Sequence, residues 1–265
     1  MEDRILIKVR NSPIIATAIH DGHFIPIEFL DNISLKEHER SREEDPYTGF
    51  MADLPVNTVL VENSRFAADL NRPKNKCIYK TPDDAWGLTV WKQPLSKQKE
   101  RQLLHYYEAF YARIKQLLDS IISQHGCFVV LDIHSYNYRR EDPHQEAPRS
   151  ENPEINIGTK NNRHHVRGLI NAFIDFLSHS KICGHRPDVR ENIKFQGGEF
   201  SKWISTHYGQ YGCVLSVEFK KTFMDEWTGR VNVKHLMDIQ ATLKGSIPLL
   251  KKEIKKFKSL NNSIE

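Results

Sequence analysis

Three apolar runs in this sequence lead directly into side chains that can bind a metal or move a proton. His20 and His23 follow the first run, His134 follows the second, and Glu218 follows the third. A few nitrogen or oxygen ligands, an open position for water and a nearby carboxylate as general base make a catalytic zinc site. One histidine at a strand end is usually a structural residue, but three such endings in one chain favour a metal. Asp132, two residues before His134, is expected on the same strand face, where it can fix a ligand's tautomer.

A second polar cluster has the sequence SRFAADLNRP at residues 64–73. A guanidinium group binds a carboxylate through two parallel hydrogen bonds, and an amide NH₂ group adds a third donor. Arg65, Asn71 and Arg72 are therefore candidate ligands of an acidic substrate. The alternative is a surface turn closed by Pro73 with an ordinary Asp–Arg ion pair, and the spacing alone favours neither.

These side chains can act together only if the apolar runs are strands of one sheet. Short, β-branched apolar runs predict buried strands, and apolar residues at three- and four-residue spacing predict helices. The predicted strands are residues 5–9, 14–19, 58–62, 127–133, 155–157 and 213–219. The predicted helices are residues 96–124, which Ser96 caps and Gly126 ends, and residues 163–178, 199–208 and 233–259.

The alternation of strands and helices predicts an α/β fold, with a parallel or mixed sheet between helices on both faces. No linker or repeat divides the chain, so we expect one domain over residues 1–265. In such sheets ligands bind beyond the carboxyl ends of the strands, which is where the histidines and Glu218 are expected. Residues 137–153 form a long polar loop, and loops of that length are often functional.

Composition narrows the class of protein and of partner. With 39% hydrophobic and 27% charged residues, the chain has the balance of a globular protein. The net charge of +4 is slight, and the basic stretch at residues 251–258 is interpreted as a solvated helix face, so no nucleic-acid partner is expected. No apolar run approaches the roughly 20 residues of a membrane span, and no secretory signal is recognisable. Four widely spaced cysteines indicate reduced thiols, and we expect a cytoplasmic protein.

The motifs occur in the order typical of a known enzyme family. HDGH at residues 20–23, SRFAADLNR at 64–72, VVLDIHS at 129–135 and SVEF at 216–219 resemble the zinc-dependent N-formylglutamate amidohydrolases. They also resemble the wider group of aspartoacylase, succinylglutamate desuccinylase and the zinc carboxypeptidases. REEDPYTG at residues 42–49, NIGT at 156–159 and NIKFQGGEFSKWISTHYG at 192–209 are similar to the amidohydrolases in particular. The resemblance extends from about residue 20 to residue 226.

The resemblance implies a zinc-exopeptidase-like fold, one zinc ion and hydrolysis of the amide between an acyl group and an amino acid. His20 and His134 would then be zinc ligands. Glu218 would be the general base that activates the zinc-bound water and afterwards protonates the leaving amine.

The resemblance also assigns the basic cluster. Asn71 and Arg72 would hold the substrate carboxylate. Arg65 would polarise the scissile carbonyl or add a second contact to a carboxylate. The expected partner is thus a small acyl amino acid, often an acidic one, and the sequence does not predict the oligomeric state.

The third metal ligand is where the sequence departs from its relatives. In the carboxypeptidase and aspartoacylase pattern this ligand is a Glu three residues after the first His, and here His23 stands at that position. In the formylglutamate enzymes an acidic residue matching Asp45 recurs instead. We favour His23, because one short loop can deliver both histidines, with Asp45 and Glu44 as rivals or as supporting residues.

Three functions remain open from the sequence. The leading hypothesis is a zinc amidohydrolase acting on an N-acyl amino acid such as N-formylglutamate. The second is a zinc peptidase or peptidoglycan-type amidase with a larger substrate, whose site the loop at residues 137–153 would widen or cover. The third is a family member that binds metal without turnover, against which the presence of Glu218, Arg72 and both strand-end histidines argues.

Overall fold

Seven strands form one mixed sheet in the computed structural model, which describes residues 2–261. The strands are β1 (Ile5–Lys8), β2 (Ile14–Ala18), β3 (Asn57–Val61), β4 (Phe128–Tyr136), β5 (Ile155–Gly158), β6 (Val189–Glu191) and β7 (Gly212–Lys220). Their order across the sheet is β1-β3-β2-β4-β7-β5-β6. The pairs β1–β3 and β5–β7 are antiparallel, and the other pairs are parallel. Because β2, β4 and β7 are parallel neighbours, their carboxyl ends meet at the same edge of the sheet.

Helices cover both faces of this sheet, so the predicted α/β architecture is confirmed. They are α1 (Ile27–Leu30), α2 (Glu37–Glu43), α3 (Thr48–Ala52), α4 (Lys97–His125), α5 (Arg167–His179), α6 (Glu199–Tyr208) and α7 (Val233–Asn261). The ends of α4 agree with their predicted signals. The Ser96 side chain accepts a hydrogen bond from the Lys99 N–H at 3.3 Å, and Gly126 ends the helix with a φ of 78°.

The two faces of the sheet pack against different helices. Phe128 and Val130 of β4 belong to the core that α4 and α6 cover. Val129, Leu131 and Ile133 belong to the opposite core, which α5 and α7 cover. Successive side chains of a strand alternate between faces, so Asp132 and His134 project on the α4 side.

The strands that carry the polar residues are longer than the apolar pattern indicates. β4 and β7 pair in register from Phe128 opposite Gly212 to Tyr136 opposite Lys220. His134 and Glu218 therefore lie within the paired strands, directly opposite each other; the predicted strand at residues 213–219 already contained Glu218, whereas His134 lies beyond the end predicted at residue 133. The polar residues interrupt the apolar run, which is why the predicted ends fall short. Helices α1 to α3 and strand β6 were not predicted, because each is too short to show a period.

No helix in the described part of the chain is both long and apolar enough to cross a membrane.

Candidate metal centre

His20, Asp45 and His134 bring their ligand atoms together at the carboxyl ends of β2 and β4. Asp45 Oδ2 lies 3.0 Å from His134 Nδ1 and 3.5 Å from His20 Nδ1. The three residues are buried, and one ligand atom from each lies within 4.8 Å of the others. Within residues 2–261, this is the one group of three or more His, Cys, Asp or Glu residues with such spacing.

The geometry and charge of this group fit a zinc ion. Ligand atoms about 2.0–2.2 Å from a tetrahedral zinc lie roughly 3.3–3.5 Å from one another, which is close to the two distances to Asp45. Burial would raise the pKa of Asp45, but hydrogen bonds and charge attraction from both histidines hold it well below its usual range. Burial would lower the pKa of His134, but the carboxylates Asp132, Asp45 and Glu218 raise it well above its usual value. The group therefore attracts positive charge, and two imidazoles with one carboxylate are ligands that zinc accepts.

A carboxylate lies beside the second ring nitrogen of each histidine. His20 Nε2 lies 2.8 Å from Asp69 Oδ1, and His134 Nε2 lies 3.1 Å from Asp132 Oδ2. The hydrogen bond to Asp69 keeps the proton on Nε2 of His20 and leaves the other nitrogen free to bind a metal, whereas Asp132 contacts His134 Nε2 as an ion pair without hydrogen-bond geometry. In both histidines the other nitrogen is Nδ1, which faces Asp45. Asp132 is held in turn by the Thr17 hydroxyl, which donates to its Oδ1 at 2.8 Å.

His23 does not join this group. The structure therefore does not support our expectation that His23, in preference to Asp45, is the third ligand. After His20 the chain runs alongside the end of β3, where the Phe24 N–H donates to Glu62 O at 2.9 Å. This path turns His23 towards α2. Its Nδ1 lies 2.5 Å from Glu44 Oε2, and its Nε2 accepts a hydrogen bond from Arg40 Nη2 at 3.0 Å.

The other rival, Glu44, is also occupied away from the metal group. Its carboxylate accepts a hydrogen bond from the Ser64 hydroxyl at 2.5 Å, on the oxygen that does not contact His23. Asp45 alone, of the three rivals, faces His20 and His134. The Asp45 N–H donates to His20 O at 2.9 Å, so the two ligand loops are also joined through the backbone.

The basic cluster at residues 64–73 is organised around Asp69, whose carboxylate is completely buried. Asp69 Oδ2 accepts hydrogen bonds from Arg65 Nη2 at 2.7 Å and from the Tyr79 hydroxyl. Asp69 Oδ1 accepts from the Asn71 N–H at 2.8 Å and faces His20. These contacts hold the pKa of Asp69 well below its usual range, although burial alone would raise it. The Asp–Arg ion pair is thus real, but it is buried and joined to a candidate metal ligand.

Glu218 lies beside the metal group on the neighbouring strand. It pairs with His134 on one side in the β4–β7 register and with Asn156 on the other side in the β5–β7 register. Burial raises the pKa of Glu218 to about 8, although the charge of His134 opposes the shift. A carboxyl group whose pKa is raised towards the working pH can both take up a proton and give it back there, as a group that serves first as base and then as acid requires.

A cavity of 320 Å³ adjoins the metal group and Glu218. Its lining includes Arg65, Asn71 and Arg72 from the basic cluster, and also Arg140 from the long loop. The three guanidinium groups lie 4.8 Å (Arg65), 5.9 Å (Arg72) and 5.5 Å (Arg140) from the Trp86 ring, within the range of cation–π attraction. The cavity is therefore small. Arginine side chains give one side of it a positive charge, and the candidate metal group lines the other side.

A profile of the N-formylglutamate amidohydrolases matches residues 12–224. The chain belongs to this family. Its members are amidohydrolases, which are hydrolases of amide bonds. The matched segment contains every residue of the candidate metal group, Glu218 and the basic cluster.

Two solved structures resemble the fold of this family member closely. The N-formylglutamate amidohydrolase of Ralstonia eutropha JMP134 superposes with a TM-score of 0.73 at 14% identity, over 94% of this chain and 98% of the other. A gene product of Agrobacterium tumefaciens superposes with a TM-score of 0.65 at 17% identity, over 97% of each chain. At these identities the likeness concerns the fold. No curated protein sequence matches the chain significantly.

The structure brings together most of the predicted site residues of this amidohydrolase and adds several that were not predicted. His20, His134, Glu218 and Asp132 lie around one point, and Arg65, Asn71 and Arg72 line the adjoining cavity. The additions are Asp69, Trp86, Asn137, Arg140 and Lys221. Asp69 belongs to the DLNR motif, so its place four residues after Arg65 could have indicated an ion pair between them. Its contact with His20 could not be predicted in this way, because the two residues are 49 positions apart.

Proposed function

We propose that this protein is a zinc-dependent amidohydrolase that cleaves the amide of an N-acyl amino acid of the N-formylglutamate type. The observation that carries the proposal is the buried group of His20, Asp45 and His134 beside Glu218 and a basic cavity. Family membership supports the reaction class, and the ligand set supports the metal. When bound there, zinc would polarise the amide carbonyl and acidify a water molecule.

Glu218 is the proton carrier of this proposal. Its carboxylate takes a proton from the attacking water and gives it to the amide nitrogen as the carbon–nitrogen bond breaks. Burial favours this role, because a carboxyl group with a raised pKa retains the proton between the two steps. No second carboxylate is required for the leaving group.

Asn71 and Arg72 are suited to hold the carboxylate of the amino-acid part. Asn71 Oδ1 accepts the Phe200 N–H at 3.0 Å, which leaves the Asn71 NH₂ group to donate. The Arg72 side chain keeps 30% of its surface exposed, and its guanidinium lies 4.6 Å from the Tyr79 ring. Both residues line the cavity, so they present donors to a bound anion.

Arg65 is the more firmly fixed of the basic residues. Its three guanidinium nitrogens donate to the Tyr79 hydroxyl, to Glu43 O and to Asp69 Oδ2 at 3.1, 3.1 and 2.7 Å. Two N–H groups of the guanidinium remain for the cavity, since Nη1 and Nη2 each carry two hydrogens. A rigid cation is suited to polarising the scissile carbonyl, because it needs no reorganisation during the reaction.

The size of the cavity favours a small substrate over a peptide or peptidoglycan strand. At 320 Å³ it lies at the lower end of the range of about 300–1,000 Å³ typical of small-molecule pockets. The long loop also narrows the site, because its Arg140 lines the cavity and pairs with Glu43 at 2.8 and 2.9 Å.

Release of formate and glutamate from N-formyl-L-glutamate tests this function. We expect turnover by the protein with one zinc per chain and none after the zinc is removed with a chelator. Glu218→Gln should retain zinc and lower kcat by at least about 100-fold, within the usual size of general acid–base effects. Glu191→Gln, which changes a carboxylate outside the cavity, serves as the matched control. Zinc-loaded protein that cleaves neither N-formylglutamate nor any other N-acyl amino acid would refute the proposal.

A further inference from the structure

Three consecutive backbone carbonyl groups directly before Asp45 accept hydrogen bonds from side chains that line the cavity. Lys221 Nζ donates to Arg42 O and to Glu44 O, at 2.7 Å in each case. Arg65 Nη1 donates to Glu43 O at 3.1 Å. These carbonyls end helix α2, and the last carbonyls of a helix have no partner within the helix. Side chains from distant parts of the chain therefore complete this helix end.

Lys221 makes the largest contribution and is itself unusual. It is 1% exposed, and lysine is rarely buried to that degree without a compensating partner. A surface lysine near the helix end would satisfy the same carbonyls at a lower cost of desolvation. The buried position therefore needs a reason beyond ending a helix of seven residues.

The position of Lys221 in the chain supplies that reason. It follows β7 directly, three residues after Glu218, and its ammonium group reaches the segment that delivers Asp45. On its other side Asp45 is held by the hydrogen bond from its N–H to His20 O at 2.9 Å. The segment that delivers Asp45 is thus fixed on one side by Lys221 at the end of β7, the strand of Glu218, and on the other side by the backbone of His20.

We propose that Lys221 is a positioning residue for the metal centre. It ties the Asp45 segment to the strand that carries Glu218, and so sets the Asp45 carboxylate against His20 and His134. This inference rests on the proposed zinc site. Lys221 acts through the backbone of residues 42–44, because neither of its two hydrogen bonds is to the Asp45 side chain.

The neighbouring lysine offers a matched control for this role. Lys220 is 7% exposed, and its Nζ donates to the backbone carbonyl of Asn152 at 3.3 Å. Its bond does not reach the segment at residues 42–44. A change of either lysine removes a buried ammonium and its bond to a carbonyl, but only one of them bears on Asp45.

The test compares Lys221→Met with Lys220→Met, and methionine keeps most of the length of the side chain. Zinc affinity is measured by competition with a chromophoric chelator, and the unfolding midpoint is measured on the metal-free proteins. We expect both variants to lower the midpoint, and only Lys221→Met to raise the zinc Kd, by about 10- to 100-fold, the usual effect of residues that support a metal ligand. Saturating Co²⁺ should also give Lys221→Met an altered visible spectrum, because the coordination geometry changes.

A second variant keeps the inference testable if Lys221→Met does not fold. Asn137 Nδ2 also donates to Arg42 O, at 2.9 Å, so Asn137→Leu should raise the zinc Kd in the same direction. The role of Lys221 would be overturned if the zinc Kd of folded Lys221→Met, or of Asn137→Leu where Lys221→Met does not fold, lies within about threefold of the wild type. An equal rise of the zinc Kd in Lys220→Met would also overturn it. Wild-type protein that binds no zinc would instead refute the proposed function, and this inference with it.

Discussion

Replacement of Asp69 by Asn tests how the buried carboxylate keeps His20 and Arg65 in place. Every partner of Asp69 is a donor in this arrangement: His20 Nε2 and the Asn71 N–H on one oxygen, Arg65 Nη2 and the Tyr79 hydroxyl on the other. An amide offers one oxygen and one NH₂ group. In either orientation of Asn, the NH₂ group therefore faces donors, and one pair of partners loses its acceptor.

The magnitude follows from the burial of this carboxylate. Asp69 is completely buried and the Arg65 side chain keeps only 12% of its surface exposed, and breaking a buried ion pair by removing one partner costs about 3–5 kcal/mol. In a protein of this size each kcal/mol lowers the midpoint by about 2–4 °C, so the expected loss is roughly 6–20 °C. Because His20 also loses the partner that fixes its tautomer, the zinc Kd should rise by about 10- to 100-fold.

The assay is thermal unfolding of the metal-free protein together with zinc competition against a chelator. Asp53→Asn is the control, because Asp53 pairs with Lys8 at 3.4 Å on the exposed surface, where ion pairs contribute little. That variant should keep both the midpoint and the zinc affinity. An Asp69→Asn protein with a midpoint within about 2 °C of the wild type and unchanged zinc affinity would refute the reasoning.

Two further predictions concern the general base and the substrate anchor. The pKa of Glu218 is raised from 4.5 to about 8, so between these values the unfolded chain loses the proton that the folded protein keeps, and folding is increasingly penalised as pH rises. The stability of metal-free Glu218→Gln relative to the wild type should therefore increase from about pH 4.5 to about pH 8 and stay constant above pH 8. Chemical denaturation at several pH values measures this difference. A difference that does not depend on pH would contradict the prediction. Arg72→Ala should raise KM for N-formylglutamate by about 10- to 100-fold, since a hydrogen bond between charged groups contributes about 1.5–3 kcal/mol, with little change in zinc content; an unchanged KM in steady-state kinetics would exclude Arg72 from substrate binding.

The elements that carry two of the ligands could be predicted because they leave a local pattern. The apolar runs before His20 and His134 are buried strands. The helical period of α4 and its Ser96 cap can likewise be recognised from residues close together in the sequence. The predicted ends of β4 and β7 were too early, because both strands continue to pair through polar residues. That continuation depends on the partner strand, which local sequence does not reveal.

The third ligand could not be predicted from local sequence. Asp45 lies between the short helices α2 and α3, where no period is present and the position is set by distant contacts. Lys221 reaches Glu44 O over 177 residues of sequence, and His134 reaches Asp45 over 89. His23 lies only three residues after His20 in the sequence, but the path of the chain beside β3 directs its side chain to Glu44. The expectation of one domain over residues 1–265, and the cytoplasmic location, remain predictions.

The choice between Asp45 and His23 tests the proposed metal centre most directly. The measurement is the zinc content per chain of Asp45→Asn and His23→Gln after dialysis against buffer with trace zinc, beside the wild type. The geometry predicts one zinc per chain in the wild type and in His23→Gln, and a loss of zinc from Asp45→Asn. Zinc retained by Asp45→Asn and lost from His23→Gln would contradict the proposed ligand set of His20, Asp45 and His134.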